Sequence, residues 1–294
     1  MTSHVQKLID NKKVTAPHYL RNNIHYEVLM GSVAYGVSNV ESDMDVYGFC
    51  IPPKNVIFPH LTGSIPGFGS QPEIFNQFIQ HHAEFNSKMY DICIYNIVRY
   101  FQLVMENNPN MLDSLFVPAR CVLYSSQLGQ HVRSNRHLFL HKGSYHKFKG
   151  YAFSQLHKIH TKRNASNEKR QESINDFGYD VKFAYHVVRL VNEVEQILTE
   201  HTLDLERSKE QLKAIRNGEY TLDQVISYFN MKEKTLESAY DNSTLPHKPD
   251  ESAIKNLLLE CLEMHYGALD NVIKIDKENQ LLSELQNLVA RYSS

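Results

Sequence analysis

Hydrophobic and polar positions divide the chain into a first part with short apolar runs and a later part with helical spacing. Apolar runs rich in β-forming residues predict buried strands at 26–30, 46–51 and 89–95. The first run ends at a Gly-Ser pair and the second at two prolines, residue types that end strands and begin turns. A helix is predicted directly after the third run, at 97–105.

Beyond about residue 127, apolar residues recur at the spacing of amphipathic helices. The predicted helices cover 127–140, 145–160, 179–198, 203–217 and 252–288. Three other stretches lack a clean period, and we expect an irregular excursion at 54–80, a polar surface loop at 161–176 and a linker at 241–250.

These elements predict two domains of different class. Residues 1–125 are expected to form an α/β (α+β) core with a short mixed sheet, and residues 126–294 a helical C-terminal domain. A chain of 294 residues is long enough to bury a substantial core in this way.

Composition and charge narrow the class of protein further. With 31 Lys+Arg against 33 Asp+Glu, the net charge is −2, which excludes a basic field over the whole chain and leaves only a local basic patch for nucleic acid. The four cysteines are far apart, so they predict neither a zinc ribbon nor a disulfide framework. No apolar run approaches the roughly 18 residues of a membrane span, and the first residues lack a signal sequence. We expect a soluble, cytoplasmic protein without a membrane partner.

Asp43 and Asp45 lie at the start of the second predicted strand. Because side chains alternate along a strand, both carboxylates face the same side, roughly 7 Å apart. Such a pair suits hard divalent cations, which prefer oxygen ligands and keep waters that substrate phosphates displace. Two ions roughly 4 Å apart can activate an attacking hydroxyl and hold a leaving pyrophosphate. An isolated Asp-x-Asp is also common at solvated strand ends, so its interpretation depends on the neighbouring residues.

Gly31 and Ser32 directly follow the first predicted strand. A glycine at such a place lets the backbone approach a phosphate, and the N-terminus of a following helix supplies amide donors. The Ser32 hydroxyl offers a further hydrogen bond to a phosphate. Metal-binding and phosphate-binding parts would then lie together within residues 26–51.

Asp91 is the candidate for a third metal ligand. It lies within the third predicted strand, and neighbouring strands bring residues together that are distant in sequence. A single aspartate can also cap a helix or end a strand, which is the alternative interpretation.

Lys182, His186 and Arg189 are spaced i, i+4 and i+7 and therefore share one face of the helix predicted at 179–198. One interpretation is that they line a cleft between the two halves and contact the phosphates of a nucleotide or of an acceptor. The other is a solvated polar stripe or a set of hydrogen bonds between helices.

Aromatic and basic residues also alternate around position 150. Tyr145, Tyr151 and Phe153 lie among Lys147, Lys149 and neighbouring basic residues, a combination of stacking faces and charge that suits single-stranded nucleic acid. Packing of these rings in a core is the alternative, and we prefer it.

The sequence Gly-Ser-Val-Ala-Tyr-Gly at 31–36, followed by Glu-Ser-Asp-Met-Asp-Val-Tyr-Gly at 41–48, resembles the signature of polymerase-β-type nucleotidyltransferases. Within that superfamily the chain is similar to the predicted nucleotidyltransferases of bacteria and large phages that are labelled an RNA-repair-pathway branch. Further similar stretches lie at 108–116, 149–156, 182–190 and 215–220, so the resemblance covers most of the chain.

The resemblance implies an enzyme that binds an NTP, such as ATP, transfers a nucleotidyl group to an acceptor hydroxyl and releases pyrophosphate. It implies Asp43, Asp45 and Asp91 as the catalytic carboxylates that hold magnesium. Two Mg²⁺ ions are expected, with Mn²⁺ as a substitute.

The resemblance also implies that Gly31 and Ser32 bind the nucleotide, and it favours the same for Lys182, His186 and Arg189. Two positions depart from the pattern, since many relatives have arginine where this chain has Val33 and Tyr47. Both departures remove a positive charge near the expected phosphates, which bears on nucleotide affinity more than on the chemistry.

RNA is the expected acceptor, because of the label that this branch carries. Two alternatives stay open from the sequence. One is an enzyme that nucleotidylates (AMPylates) a protein side chain, as in some toxin–antitoxin systems. The other is a non-catalytic module that binds a nucleotide or a nucleic acid.

Overall fold

The structure is a computed structural model that describes residues 2–39, 42–58, 75–161 and 168–267. Its strands form one five-stranded sheet in the order β3-β4-β2-β1-β5. The strands are β1 (Ile24–Leu29), β2 (Met44–Cys50), β3 (Gln77–Phe85), β4 (Lys88–Asn96) and β5 (Val122–Ser125). β2 and β4 are parallel and the other three pairs are antiparallel, which confirms the mixed sheet.

Helices precede, interrupt and follow this sheet. Those within and before it are α1 (His4–Asp10), α2 (Leu20–Asn23), α3 (Gly31–Ala34), α4 (Lys54–Ile57), α5 (Ile97–Met105) and α6 (Pro109–Phe116). Those after it are α7 (Gln127–Ser134), α8 (Gly143–Thr161), α9 (Glu168–Phe177), α10 (Val181–Glu200), α11 (Lys209–Arg216), α12 (Leu222–Asn242) and α13 (Glu251–Tyr266). Two 3-10 turns occupy Ala119–Cys121 and Arg136–Phe139. After β5 the described residues form helices and connections without strands, so the helical C-terminal part is confirmed.

Aromatic side chains fill the space between the centre of the sheet and the helices that follow β4. Phe49 lies between Tyr26 and Tyr100, with ring centroids 5.7 Å and 4.9 Å away, and all three rings are fully buried. A buried hydroxyl needs a partner, and both tyrosines find one at Ser114 of α6. The Tyr26 hydroxyl donates to its carbonyl at 2.9 Å, and Oγ of Ser114 lies 2.6 Å from the Tyr100 hydroxyl. These contacts fix α6 against the sheet.

α10 is the central helix of the C-terminal part. It packs against α8, α11 and α12, and most of its side chains are buried. Its first turn is capped by Asp180, whose carboxylate accepts hydrogen bonds from the amides of Lys182 and Phe183. Its last turn ends at His201 in the left-handed conformation, a common helix terminator. The rigid α10 therefore gives its side chains defined positions relative to the sheet.

Several predicted elements are confirmed, among them β1, β2, β4 and the helix directly after β4. The excursion expected at 54–80 is wrong where it is described, because α4 and the first residues of β3 lie there; residues 59–74 are outside the described residues. The surface loop expected at 161–176 is wrong from Glu168 onward, where α9 begins, and residues 162–167 are not described. The last predicted helix is observed as α13 up to Tyr266, and residues 268–294 are not described.

Candidate active site

Asp45 and Asp91 lie side by side in the sheet. They are register partners on the neighbouring parallel strands β2 and β4. Neighbouring strands lie about 4.8 Å apart, and partner residues direct their side chains to the same face. The sheet therefore brings together two of the three predicted carboxylates, which are 46 positions apart in the sequence.

Gly31 packs directly against the carboxylate of Asp45. A Cβ built on this glycine would lie 1.9 Å from Oδ2 of Asp45, and Gly31 has a φ of +61°. The amide of Met30 also donates to the carbonyl of Asp45 at 2.7 Å. No side chain fits beside that carboxylate, so glycine is required at this turn for a reason that the sequence did not show.

The pKa of Asp45 is raised to about 6. Burial is the largest cause, followed by the neighbouring charge of Asp91; the charge of Lys182 acts in the opposite direction, and that of Asp43 adds to the rise. Two carboxylates that repel each other in a partly desolvated place favour a bound cation or a proton. The site thus has the electrostatic character of a cation site.

Asp91 is oriented by the edge strand β3. The strand has an irregularity in its register between Gln80 and Ala83, and His82 adopts a positive φ of 54° there. As a result the amide of His82 donates to Oδ1 of Asp91 at 2.9 Å. The imidazole of His81 also contacts this atom, with Nδ1 at 3.4 Å. The sequence marked neither histidine, because the register that places them is a tertiary property.

Asp43 lies one residue before β2 and is exposed. The preceding Ser42 contacts Asn39: its hydroxyl accepts a hydrogen bond from the amide of Asn39 and donates one to Oδ1 of Asn39, both at 2.9 Å. Within the described ranges, no three Asp, Glu, His or Cys side chains converge as ligands of one metal ion. The donor chemistry of the paired Asp45 and Asp91, with the charge of Asp43 close enough to act on Asp45, nevertheless fits a hard divalent cation.

Lys182 and His186 lie one helical turn apart at the start of α10. Lys182 is exposed, and its charge acts on Asp45. The pKa of His186 is lowered well below its usual value, first by burial and then by the surrounding cations Arg189, Lys182, Arg170 and Arg216. His186 is therefore a neutral ring in a basic environment, and Lys182 supplies the charge that faces the carboxylates.

Arg189 has a different environment from Lys182. Its guanidinium is buried, and Nη1 lies 2.5 Å from Oδ2 of Asp113 and 3.2 Å from both carboxylate oxygens of Glu193. The same nitrogen donates to the Tyr35 hydroxyl at 2.5 Å. The geometry favours a structural role of Arg189 over the predicted contact with nucleotide phosphates.

The aromatic and basic surface around α8 is mostly engaged within the protein. The ring of Tyr145 is buried and packs on that of Tyr240, with centroids 4.9 Å apart. Lys149 forms an ion pair with Glu233 at 2.8 Å, while Tyr151 stays exposed. This arrangement supports the packing interpretation of these residues.

The sheet order, the paired aspartates on its central strands and the glycine turn beside them define a nucleotidyltransferase type of core. The chain matches the RNA repair pathway DNA polymerase beta family over residues 1–283 and belongs to it. It is thus a polymerase-β-like nucleotidyltransferase, as the resemblance in the sequence predicted.

Other comparisons add little. No curated protein matches the chain. Among the solved structures that match is a nucleotidyltransferase-like protein from Exiguobacterium sibiricum 255-15, with 6% identity over 81% of this chain and 73% of the other and a TM-score of 0.30. None of the helices in the described residues has the length and apolar character needed to cross a membrane.

Proposed function

We propose that this protein transfers a nucleoside monophosphate from an NTP to a hydroxyl group of RNA, in a reaction that depends on Mg²⁺. The observation that carries the proposal is the pairing of Asp45 with Asp91 across β2 and β4, with Gly31 packed on the Asp45 carboxylate. Membership of a nucleotidyltransferase family supports the reaction class.

Asp45 and Asp91 would hold the divalent cations, with Asp43 as the third ligand from the same strand face. When bound, Mg²⁺ supplies charge that stabilises the phosphates and lowers the pKa of a coordinated hydroxyl. Mn²⁺, which accepts the same oxygen ligands, is expected to substitute for it.

The chemistry to be accelerated is an in-line displacement at the α-phosphorus. The acceptor oxygen forms the new P–O bond, the bond from the α-phosphorus to the bridging oxygen breaks, and pyrophosphate leaves. The hydroxyl proton passes to a carboxylate, for which Asp91 is our candidate because the amide of His82 fixes one of its oxygens. Most of the acceleration comes from positioning and from charge at the site.

We propose that four residues contact the nucleotide, namely Gly31, Ser32, Lys182 and His186. The Gly31–Ser32 backbone lies beside Asp45 at the edge of the carboxylate pair, where phosphates that share the cations must lie. Lys182 adds a positive charge, which Val33 and Tyr47, at positions where many relatives have arginine, do not provide. His186, one turn further along α10, offers a neutral imidazole for a hydrogen bond.

RNA is proposed as the acceptor because the family to which the chain belongs is described as an RNA repair pathway family. The exposed cation Lys182, whose charge acts on Asp45, supports a polyanionic substrate on this side of the site. The surface of α8 is not proposed for this contact, because Lys149 there is already paired with a carboxylate.

The test compares the wild-type protein with Asp45→Asn and Asp91→Asn. Each is incubated with Mg²⁺, one of four α-labelled NTPs, and either total RNA or a cell protein extract. We expect label in RNA with the wild type and its loss by at least about 100-fold in both variants. Label in protein instead would replace RNA with a protein acceptor. If the wild type neither binds Mg²⁺-NTP nor transfers label, the enzyme proposal is wrong and a non-catalytic module takes its place.

A further inference from the structure

Three arginines from three separate elements converge on the five residues that follow Gly31 and Ser32. Arg120 donates to the carbonyl of Val33 at 3.0 Å, and Arg216 donates to the carbonyl of Val37 at 3.0 Å. Between them, Arg189 donates to the hydroxyl of Tyr35 at 2.5 Å. Arg189 and Arg216 lie on α10 and α11, so the C-terminal helices hold a segment that belongs to the sheet half.

Tyr35 is the central member of this arrangement. Its hydroxyl accepts from Arg189 and donates to Oδ2 of Asp113 at 2.7 Å, and its ring lies 4.6 Å below the guanidinium carbon. The four side chains of this arrangement are all at least 96% buried, namely those of Tyr35, Asp113, Arg189 and Glu193. A single buried hydroxyl therefore links the segment after Gly31 and Ser32 to a charged cluster on α6 and α10.

A buried charged cluster of this kind is an inefficient source of stability. Taking charged side chains out of water is costly, and apolar residues of the same volume often give equal or greater stability. Apolar residues could not reproduce the directional hydrogen bonds, which fix the Tyr35 hydroxyl at one place. Tyr35 in turn lies three residues after Ser32 and four after Gly31.

The segment has little local structure to fix it otherwise. α3 is only four residues long, and the segment adds the hydrogen bonds from the amide of Gly36 to the carbonyl of Val33 at 3.2 Å and from the amide of Val37 to the carbonyl of Ser32 at 2.9 Å. A turn that short keeps its orientation only through its tertiary contacts.

We propose that Tyr35 is a positioning residue, which transmits the rigid placement of the Arg189–Asp113 cluster to the backbone of Gly31 and Ser32 and thereby sets the nucleotide affinity of the site. The proposal rests on the function proposed above for the nucleotide contact, but the placement of the turn is measurable without nucleotide. The C-terminal helices are thus part of the site through Tyr35 as well as through Lys182.

Tyr35→Phe removes the linking hydroxyl and leaves Arg189 with Asp113 and Glu193. The matched control is Tyr185→Phe, because Tyr185 is equally buried and its ring lies 6.2 Å from that of Tyr35. Within the described residues its hydroxyl has no hydrogen-bond partner. Both variants lose the same atom from neighbouring buried places, but only one of them breaks the link.

We expect Tyr35→Phe to shift the amide resonances of Gly31 and Ser32 in the nucleotide-free protein and to raise the KM and Kd for Mg²⁺-NTP about 10-fold. Tyr185→Phe should change neither. A purely structural role would instead lower kcat in proportion to the folded fraction and leave KM unchanged.

Unchanged Gly31 and Ser32 resonances together with wild-type nucleotide affinity in folded Tyr35→Phe would overturn the proposal. If that variant does not fold, Asp113→Asn decides, since it alters the acceptor of the Tyr35 hydroxyl without a change of volume and should shift the same resonances, whereas unchanged resonances would overturn the proposal. If the turn resonances shift but the wild type binds no NTP, the positioning of the turn stands while the proposed function fails.

Discussion

Asp45 and Asp91 are register partners in the only parallel strand pair found in the described part of the sheet, and Gly31 lies directly against the Asp45 carboxylate. The strand register holds the two charges together although they repel each other, and burial raises the pKa of Asp45 to about 6. A protein optimised for stability alone would not keep this pair. The arrangement therefore predicts opposite effects of mutation on stability and on function.

Asp45→Asn is expected to abolish transfer while it stabilises the metal-free protein. The pKa of Asp45 is raised from 3.8 to about 6 in the folded state. As the pH rises through this window, Asp45 ionises in the unfolded chain before it ionises in the folded protein. The free energy of unfolding therefore falls, and the full loss is present above pH 6. Removing that charge should increase the free energy of unfolding at pH 7.5 by roughly 1–3 kcal/mol, measured by urea denaturation with EDTA.

The matched control for this prediction is Asp43→Asn. Asp43 is exposed, so the same change of charge should leave the stability of the metal-free protein within about 0.5 kcal/mol of the wild type. If Asp45→Asn proved as stable as Asp43→Asn or less stable, the electrostatic strain inferred for the carboxylate pair would be absent.

Gly31→Ala should displace the Asp45 carboxylate. The new Cβ would lie 1.9 Å from Oδ2 of Asp45, and the φ of +61° is unfavourable for alanine. We expect a loss of about 1–2 kcal/mol in the free energy of unfolding and at least about a 10-fold loss in Mn²⁺ affinity, measured by electron paramagnetic resonance.

The control is Gly150→Ala, which should have the opposite effect on stability. A Cβ at Gly150 would meet nothing within 4 Å in the middle of α8, so the free energy of unfolding should increase by about 0.5–1 kcal/mol. Equal effects of the two changes would contradict the packing described for Gly31.

The sequence was sufficient to predict the parts of the site that depend on local pattern. The apolar runs identified the strands that carry Asp45 and Asp91, whereas Asp43, expected on the same strand face as Asp45, lies one residue before β2. Membership of the family confirmed the reaction class that the motif at 31–48 indicated. Even so, the partner of Asp45 was a prediction from analogy, because periodicity in one strand does not reveal which strand lies beside it or in what register.

Tertiary contacts account for what the sequence did not reveal. β3 is an edge strand whose side chains are mostly exposed or half-buried, so a buried-strand pattern is absent there. Arg189 shares a helical face with Lys182 and His186, yet its environment is decided by Asp113, 76 positions away. α12 was not predicted, although its capping box of Thr221 and Gln224 is visible in the sequence.

The conformation of His82 is expected to matter more than its imidazole. His82 has a φ of 54° and its amide donates to Asp91, so His82→Gly keeps the donor and suits the backbone. His82→Val places a β-branched residue in a left-handed conformation and should cost about 1–2 kcal/mol. We expect the glycine variant to retain the Mn²⁺ affinity and the transfer activity and the valine variant to lose both. A glycine variant without activity would show that the imidazole itself is required.

His25 joins the sheet to the last described helix. Its Nδ1 lies 3.0 Å from Oγ of Ser126, and its Nε2 lies 3.0 Å from Nδ1 of His265 on α13. Burial, and then the neighbouring His265, lower the pKa of His25 to about 4. One ring must donate and the other accept between the two histidines, so the contact is lost when both rings are protonated.

This contact predicts a loss of stability in mild acid. Above pH 6.5 His25 is neutral in both the folded and the unfolded state, so it contributes no pH dependence to the free energy of unfolding. Between about pH 6.5 and pH 4 His25 binds a proton in the unfolded chain but not in the folded protein. The free energy of unfolding therefore falls as the pH falls through this range. The loss between pH 7.5 and pH 4.5 should be roughly 1–3 kcal/mol from this group, measured as the difference between urea denaturations at the two pH values. His25→Gln should reduce that difference, whereas His18→Gln, at an exposed histidine, should not. An identical pH dependence in the two variants would mean that the exclusion of a proton from His25 does not contribute to stability in this range.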